Sequence, residues 1–513
     1  MRTVRHAVLG AMLAAATIAR ADVITDWNQT AIEVMKVANV AGNPWTRSMA
    51  MMNVAMSDAV NTVQNRYTRY IAEGPRAPKA SAEAAAAGAA REMLSRLYPD
   101  QKAKIDQAYA ASIAGVPEGA ARNEGILVGE QVAAAVFAER ANDASSAPDT
   151  YRPVTTPGVW IPTAPPLFAQ YATAKPWGFK SADQFRPAPP PALSSALYAR
   201  DYNETKELGA AKSARRTPEQ TEAVKFWTQT NFLPCWFQAA AQLSASRGLG
   251  LADNARLFAL LAMAEGNAFI LEWDAKFHYN FWRPVTAIRN GDKDGNDATE
   301  RDAGWAPLNA TPMHPEYPSA AGIVGGSAAA LLQAVFGSGA ASFTVTDIFD
   351  PKVQRRYSSV AQMAEEQRLV RIWGGIHFRN SLEVGDEMGR KIAAHLAANY
   401  MLVGNREFVR KNPVATKRAL RAILKSADAC ATAPEKVAQA VVAKGLAKNY
   451  DSTLQAIREL PYGRWRELDP EDTVHFYSLR LREVGMIKST PAKIISQAAD
   501  WRFWRELKSE LKT

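Results

Sequence analysis

Residues 80–140 contain so much alanine that helix is the only regular structure the stretch supports. Alanine carries the best helix propensity of any residue, and apolar positions recur here at helical spacing over 80–97, 101–114 and 119–140. Residues 28–66 read as two further helices. The second carries apolar groups at helical spacing over 49–63, interrupted by Asp58 and Asn61. Helical patterns resume at 217–229 and 251–275, after Pro318 as far as Phe336, over 353–370, and from just after His377 to Tyr400. The expected fold class is mainly α. With 513 residues the chain has length for two to four domain-sized units and for a full apolar core.

Residues 141–195 break this pattern. Pro148, Pro153, Pro157, Pro162, Pro165, Pro166, Pro176, Pro187 and the run Pro189-Pro190-Pro191 forbid long helices. Trp160, Phe168, Tyr171, Trp177 and Phe185 are interleaved with them. Aromatics at that density predict a loop packed over a surface rather than a free linker, and long ordered loops of this kind often shape a site. Residues 290–316 form a second polar loop. Its opening run, Asn290-Gly291-Asp292-Lys293-Asp294-Gly295-Asn296-Asp297, invites comparison with a calcium loop. No glutamate stands at the twelfth position of a loop begun at Asp292, so a plain turn is the better reading.

The net charge of +10 is unevenly placed: residues 401–513 hold 21 Lys/Arg against 13 Asp/Glu, which leaves the longer first part close to neutral. These charges are scattered along amphipathic helical segments at 413–431, 435–443, 452–460, 470–484 and 491–511, as on a solvated face, so nucleic-acid binding is not expected. Cys235 and Cys430 lie too far apart to suggest a disulfide framework or a cysteine metal site. At the N-terminus, Arg2 and Arg5 precede a short apolar run over 7–18 and the small-x-small triplet Ala19-Arg20-Ala21. That layout predicts a signal peptide over 1–21, a mature chain from Asp22 and a periplasmic or secreted location. The apolar run is too short to span a bilayer comfortably. The uncharged, Gly/Ala-rich segment 320–337 reads as a buried core helix, leaving no membrane span after the signal.

Three short stretches carry groups suited to chemistry. Lys276-Phe-His-Tyr-Asn-Phe-Trp-Arg283-Pro284 sets two cations seven residues apart, which on one helix is two turns, so both would face one pocket. His314-Pro-Glu-Tyr-Pro318-Ser319-Ala320-Ala321-Gly322 opens a small-residue helix with a hydroxyl and free backbone N–H groups, a ready oxyanion site. Arg371-Ile-Trp-Gly374-Gly375-Ile-His377-Phe-Arg379 adds a guanidinium and an imidazole. Singly, each has a bland explanation: a surface ion pair, an N-cap, a core histidine.

Together, and in this order, they resemble the three-part signature of the vanadium haloperoxidase and type-2 phosphatidic acid phosphatase superfamily: Lys-x6-Arg-Pro, Pro-Ser-Gly-His and Ser-Arg-x5-His-x3-Asp. The first part is complete, the second half present, and the third keeps Arg-x5-His. Segments 54–61, 184–191, 280–290 and 374–389 also resemble the soluble bacterial haloperoxidase-like branch, and the similarity runs over residues 22–400. The resemblance implies a haloperoxidase/acid-phosphatase-type helical bundle. It implies that Lys276, Arg283 and Arg371 bind the equatorial oxygens of vanadate or phosphate, that Ser319 donates its hydroxyl and Ala320 its backbone N–H, and that His377 is the vanadium ligand or the phosphoryl acceptor. Vanadate is the cofactor if the protein is a peroxidase; a phosphatase needs none. Small-molecule partners follow: halide and peroxide, or a phosphate ester. Association into an oligomer is compatible with this reading.

Departures from the signature fall on proton handling. Ala321 stands at the position of the family's acid–base histidine, with His314 and His278 as substitutes to be weighed. Val370 replaces the serine before the arginine. Ser381 replaces the aspartate that orients the imidazole, a task Glu383 is placed to take over. A catalytically impaired oxyanion-binding relative is therefore the rival expectation. Residues 401–513 resemble instead the C-terminal end of substrate-binding proteins of nitrate/taurine-type ABC transporters, through Pro413-Val-Ala-Thr-Lys-Arg-Ala-Leu, Pro470-Glu-Asp-Thr-Val-His-Phe-Tyr, Gly485-Met-Ile-Lys-Ser-Thr-Pro and Asp500-Trp-Arg-Phe. A transport-related binding role is a third reading. The two-lobed body that would hold a ligand has no counterpart here, so this part reads as a small helical segment without a cleft.

Overall fold

The alanine-rich stretches are helices α3 (Ala82–Leu97), α4 (Lys102–Ala114) and α5 (Ala120–Glu139), preceded by α1 (Val23–Val37) and α2 (Gly42–Gln64). A computed structural model describes residues 22–71, 74–337, 341–400, 413–444, 447, 449–459 and 510. The signal-peptide reading over 1–21 and the tail segments at 470–484 and nearly all of 491–511, with the resemblances quoted from them, lie outside the described residues. The chain divides into two compact units, Met1–Val403 and Gly404–Thr513.

The remaining helices of the first unit are α6 (Ala196–Leu208), α7 (Pro218–Gln229), α8 (Phe232–Arg247), the long α9 (Leu251–Tyr279), the short α10 (Pro284–Arg289), α11 (Ala320–Phe336), α12 (Val360–Trp373) and α13 (Arg379–Tyr400). A hairpin of β1 (Phe343–Thr346) and antiparallel β2 (Gln354–Tyr357) joins α11 to α12. The expected helix over 353–370 is thus a strand at its start, and helix begins only at Val360. Ser359 supplies the reason: its side chain accepts from the Gln362 N–H and caps α12 at that point.

Helix α9 lies at the centre, packed against α2, α11 and α13, while α11 and α13 form the most extensive helix pair. No Cβ fits along the seam of that pair. A Cβ on Gly326 would sit 2.5 Å from the Asp386 carbonyl oxygen, and one on Gly389 2.2 Å from that of Ile323. The two backbones touch, which draws the start of α11 against the start of α13. Helix α11 is almost wholly buried. Among the described residues, no helix is long and apolar enough to cross a membrane.

Buried polar groups on the core helices fasten the connections between them. Asp58 accepts from the backbone N–H groups of Tyr70 and Ile71 (2.7 and 2.8 Å), and Asn61 from that of Tyr67 (2.8 Å). The two residues that interrupt the apolar face of α2 thus satisfy the chain that follows it. The proline-rich stretch is packed down in the same way. Asn267 of α9 exchanges two hydrogen bonds with the backbone of Trp177, and Trp160 donates its N–H to the Asn280 carbonyl (2.7 Å). Both indoles are 1% exposed.

In the second unit, α14 (Pro413–Thr432), α15 (Pro434–Ala443) and α16 (Tyr450–Glu459) pack on one another. Leu424 is the buried centre of a small apolar cluster with Leu420 and Ala427. Lys417 and Arg421 of α14 both pair with Glu510.

Candidate active site

Lys276 and Arg283 do not share a helix, contrary to the two-turn expectation. Helix α9 ends at Tyr279, Asn280 turns left-handed (φ 48°), and Arg283 is the N-cap of α10. Asparagine tolerates that conformation and Pro284 starts a helix rather than continuing one. The interruption is held by the proline-rich loop: Phe281 bridges to Val159, and Trp282 donates its N–H to the Gly158 carbonyl. Both cations still end fully buried on one side of the second motif, at 0% exposure.

The Lys276 ammonium donates to the carbonyls of Pro315 (2.8 Å), Glu316 (2.9 Å) and Pro318. An ammonium has three protons, so this set uses them all. Arg283 donates through Nε to the His314 carbonyl (2.9 Å) and through Nη1 to the Ile376 carbonyl (2.8 Å). Its Nη1 also lies 3.0 Å from His377 Nε2, and its Nη2 lies 3.1 Å from His314 Nδ1. A guanidinium only donates, so both imidazole nitrogens must accept. His377 is therefore neutral, with a lone pair on Nε2 and its proton on Nδ1.

That proton goes to Glu316, whose Oε1 lies 2.8 Å from Nδ1 and also accepts the Phe378 N–H (2.9 Å). Glu316, within the second motif, thus orients the imidazole. Glu383 does not: it is exposed on α13. Ser381 is buried, and its hydroxyl donates to the Glu316 carbonyl (3.4 Å). Of the two substitute histidines, His278 is exposed and lies edge-on to Tyr279, whereas His314 reaches Arg283 and rests on the Trp273 ring, 4.7 Å between centroids.

Arg371 comes from the last turn of α12. One turn earlier Gln367 donates to the Ala321 carbonyl (3.1 Å), so this face of α12 meets the first turn of α11. Burial pulls the Arg371 guanidinium down to about 10, and its Nε and Nη2 have no hydrogen-bond partner. Phe232 lies under it, 5.3 Å from ring centre to Cζ. The Ser319 hydroxyl is buried and equally without a partner; Ser319 is the N-cap of α11 but does not cap it. From Arg371 the chain turns through Gly374 and Gly375 to His377. Gly375 has φ 76°, and a Cβ there would meet the Gly209 carbonyl oxygen at 2.4 Å, so only glycine permits this turn.

Burial dominates the electrostatics. It pulls Arg283 down to about 10, and it pushes His377 and His314 well below the usual histidine range, with the neighbouring cations acting in the same direction. It raises Glu316 to about 7 against the pull of Arg283 and Lys276. Glu272, one turn before Lys276, is also fully buried; its Oε1 lies 3.3 Å from the ammonium. Three cations, Lys276, Arg283 and Arg371, face two carboxylates. Orphaned buried donors and surplus positive charge both fit an oxyanion with spread negative charge.

The same arrangement lies within known architecture. Residues 256–404 match the family described as the VCPO second helical-bundle domain. A vanadium chloroperoxidase from Curvularia inaequalis is 27% identical over 386 residues, covering 59% of this chain and 63% of that protein. The chain therefore spans less than two thirds of the length of that curated relative. A bacterial vanadium-dependent iodoperoxidase superposes with a TM-score of 0.63 at 23% identity, over 73% of this chain and 95% of that one. The apo form of a bacterial vanadium-dependent chloroperoxidase gives 0.58 at 17% identity, over 72% and 94%. This is the vanadium haloperoxidase fold.

Within that fold the structure joins Lys276, Arg283 and His377 through direct contacts with the 314–318 segment. It sets Ser319 and Ala320 at the start of α11, against Ser381, through the Ser319 N–H to Ser381 carbonyl bond of 3.1 Å. Arg371 is close enough for its charge to act on both Arg283 and His377. The site needs Glu316 and contains Glu272, and sequence reasoning assigned neither. For Glu316 a signal was available: with serine at 381, the imidazole needs another acceptor, and this carboxylate stands inside the second motif. Ala321 is buried and offers only a methyl group.

Proposed function

We propose that residues 22–400 bind a tetrahedral oxyanion, vanadate or phosphate, and act as a haloperoxidase/acid-phosphatase-type protein of an exported kind. The observation that carries this reading is the pairing of a neutral His377, oriented by Glu316 with Nε2 toward Arg283, with unpartnered buried donors on Arg371 and Ser319. Vanadate held there would supply the Lewis-acid centre at which peroxide oxidises a halide. The chain's own part is to hold and orient. Arg371 and Ser319 would donate to the anion's oxygens, Arg283 would add charge, and His377 would offer it Nε2, which accepts from Arg283 Nη1 in this structure. Lys276 has its protons committed to carbonyls, so it acts through its charge. A phosphate ester would meet the same groups, with Nε2 as phosphoryl acceptor.

Turnover is expected to be weak, because general acid–base help is typically worth about 10²–10⁴-fold in rate and Ala321 can transfer no proton. Orthovanadate should raise the melting temperature of the purified protein. Arg371→Ala should weaken vanadate binding about 10–100-fold, the worth of a hydrogen bond to a charged group. Bromide and iodide oxidation with peroxide, and phosphomonoester hydrolysis, test the chemistry. Stabilisation without turnover in any assay would favour the rival, a non-catalytic oxyanion binder. No stabilisation would sink the pocket. Ala321→His should increase whichever activity is found; an unchanged rate would mean that another group already handles the proton.

A further inference from the structure

Glu272 has no place in the family signature, yet it lies against the same buried cations. Its side chain is 0% exposed, and its carboxylate oxygens lie beside the Lys276 ammonium and the Ala320 N–H without a well-aligned hydrogen bond to either. Lys276, 3.3 Å away, acts on it mainly through charge, since its ammonium protons point to the 315–318 carbonyls. The backbone N–H of Ala320, a group the oxyanion would use, also favours its charged form. The carboxylate therefore draws on the same positive groups that an incoming oxyanion needs.

We propose that Glu272 is the proton-coupled gate of the pocket: it balances Lys276 as a carboxylate when no anion is bound, and takes up a proton when an oxyanion enters. The inference rests on the oxyanion reading above. Three buried cations already face Glu316 and Glu272, so a dianion entering the cluster leaves negative charge in excess, and protonating the carboxylate without a well-aligned hydrogen bond relieves it. The proton comes from solvent; the new O–H bond forms on a Glu272 oxygen and no other bond changes. The groups facing Glu272 are Lys276 on its own helix, Arg283 from α10 and the Ala320 N–H from α11. Arg371, His314, His377 and Glu316 stand behind them around the same cluster.

The sign and window follow from burial, which raises Glu272 to about 7 in spite of Lys276 and Arg283. On the acid side of that value Glu272 is already protonated and entry costs nothing extra. On the alkaline side a proton must be bound with the anion, so affinity falls by up to about tenfold per pH unit. The two histidines take up protons only well on the acid side of their usual range. Glu316, raised to about 7, and Lys276, pulled down by burial to about 8, share this window, so the comparison with a Glu272 variant, and not the pH profile alone, isolates Glu272.

Sulfate, which carries no proton near neutrality, is the probe. Its affinity for the purified protein and for Glu272→Gln is measured by calorimetry across this pH range, in buffers of different ionisation enthalpy that report proton uptake. The two proteins should bind alike on the acid side. On the alkaline side the variant should bind more tightly, by up to about tenfold per pH unit, and should lose close to one proton of uptake. Glu272→Met, neutral and of similar size, should behave as the glutamine variant does if that one folds poorly. A constant affinity ratio across pH, or equal proton uptake, would overturn the gate. If neither protein binds sulfate, phosphate or vanadate, the pocket reading fails first, and the gate with it.

Discussion

Gly389→Val is expected to cost the first unit about 3 kcal/mol or more, the upper end of what overpacking usually does. A Cβ on Gly389 would lie 2.2 Å from the Ile323 carbonyl oxygen, 2.6 Å from the Ser327 nitrogen and 3.0 Å from the Gly326 carbonyl carbon. All three are backbone atoms, so no side chain can swing aside. The only relief is to part α11 from α13. The seam offers no slack elsewhere, because Gly322 and Gly326 approach Leu382 and Asp386 as closely, and Gly385 approaches Ser319. Parting the helices would also withdraw Ser319 from Ser381 and so open the proposed oxyanion site. A urea titration followed by circular dichroism measures the loss, and vanadate-dependent stabilisation should vanish with it. A variant with a midpoint near wild type would show that the helices can separate cheaply.

Glu316→Ala is expected to act on both stability and binding. It strips the acceptor from two buried donors, the His377 Nδ1–H and the Phe378 N–H. It also removes one of two carboxylates that offset three buried cations. Breaking one side of a buried charged network costs about 3–5 kcal/mol, which thermal or urea unfolding would register. With Nδ1 unheld, the imidazole is free to change tautomer and turn Nε2 away. Loss of such a supporting partner typically weakens metal binding about 10–100-fold. Glu316→Gln separates the two effects: its amide oxygen can still accept from Nδ1, so it should recover part of the stability. If Glu316→Ala binds vanadate as tightly as wild type, something other than this carboxylate orients His377.

The helical architecture was legible because alanine content and apolar spacing are local properties, read within one segment. Helix α8 was harder to see. Pro234 stands in its third position, where a proline is tolerated because the first-turn N–H groups have no partner in the helix. The hairpin was hidden for the opposite reason. Gln354-Arg-Arg-Tyr357 is a polar strand with no apolar alternation, and only pairing with Phe343–Thr346 defines it. At the site, the three motifs identified the cations, the hydroxyl and the imidazole, since those residue types stand at fixed spacings. They could not assign the contacts made across the fold. Glu316 and His377 are 61 residues apart, and their hydrogen bond depends on how α11 and α13 meet. Nor does spacing reveal that Lys276 spends its protons on carbonyls, or that Arg283 sits beyond a break in the helix.

The glycine seam bears on how a protein of this build can be altered. Elsewhere in a core, a side chain can be traded for another of similar volume and the neighbours adjust. Where backbone rests on backbone there is nothing to trade, so the spacing between the two helix starts is insulated from drift in the surrounding apolar residues. Diversification aimed at a new substrate would therefore gain little from repacking α11 or α13. The adjustable parts are the exposed positions of the proline-rich stretch at 141–195 and of the loop at 290–313, which ends before His314 and Glu316.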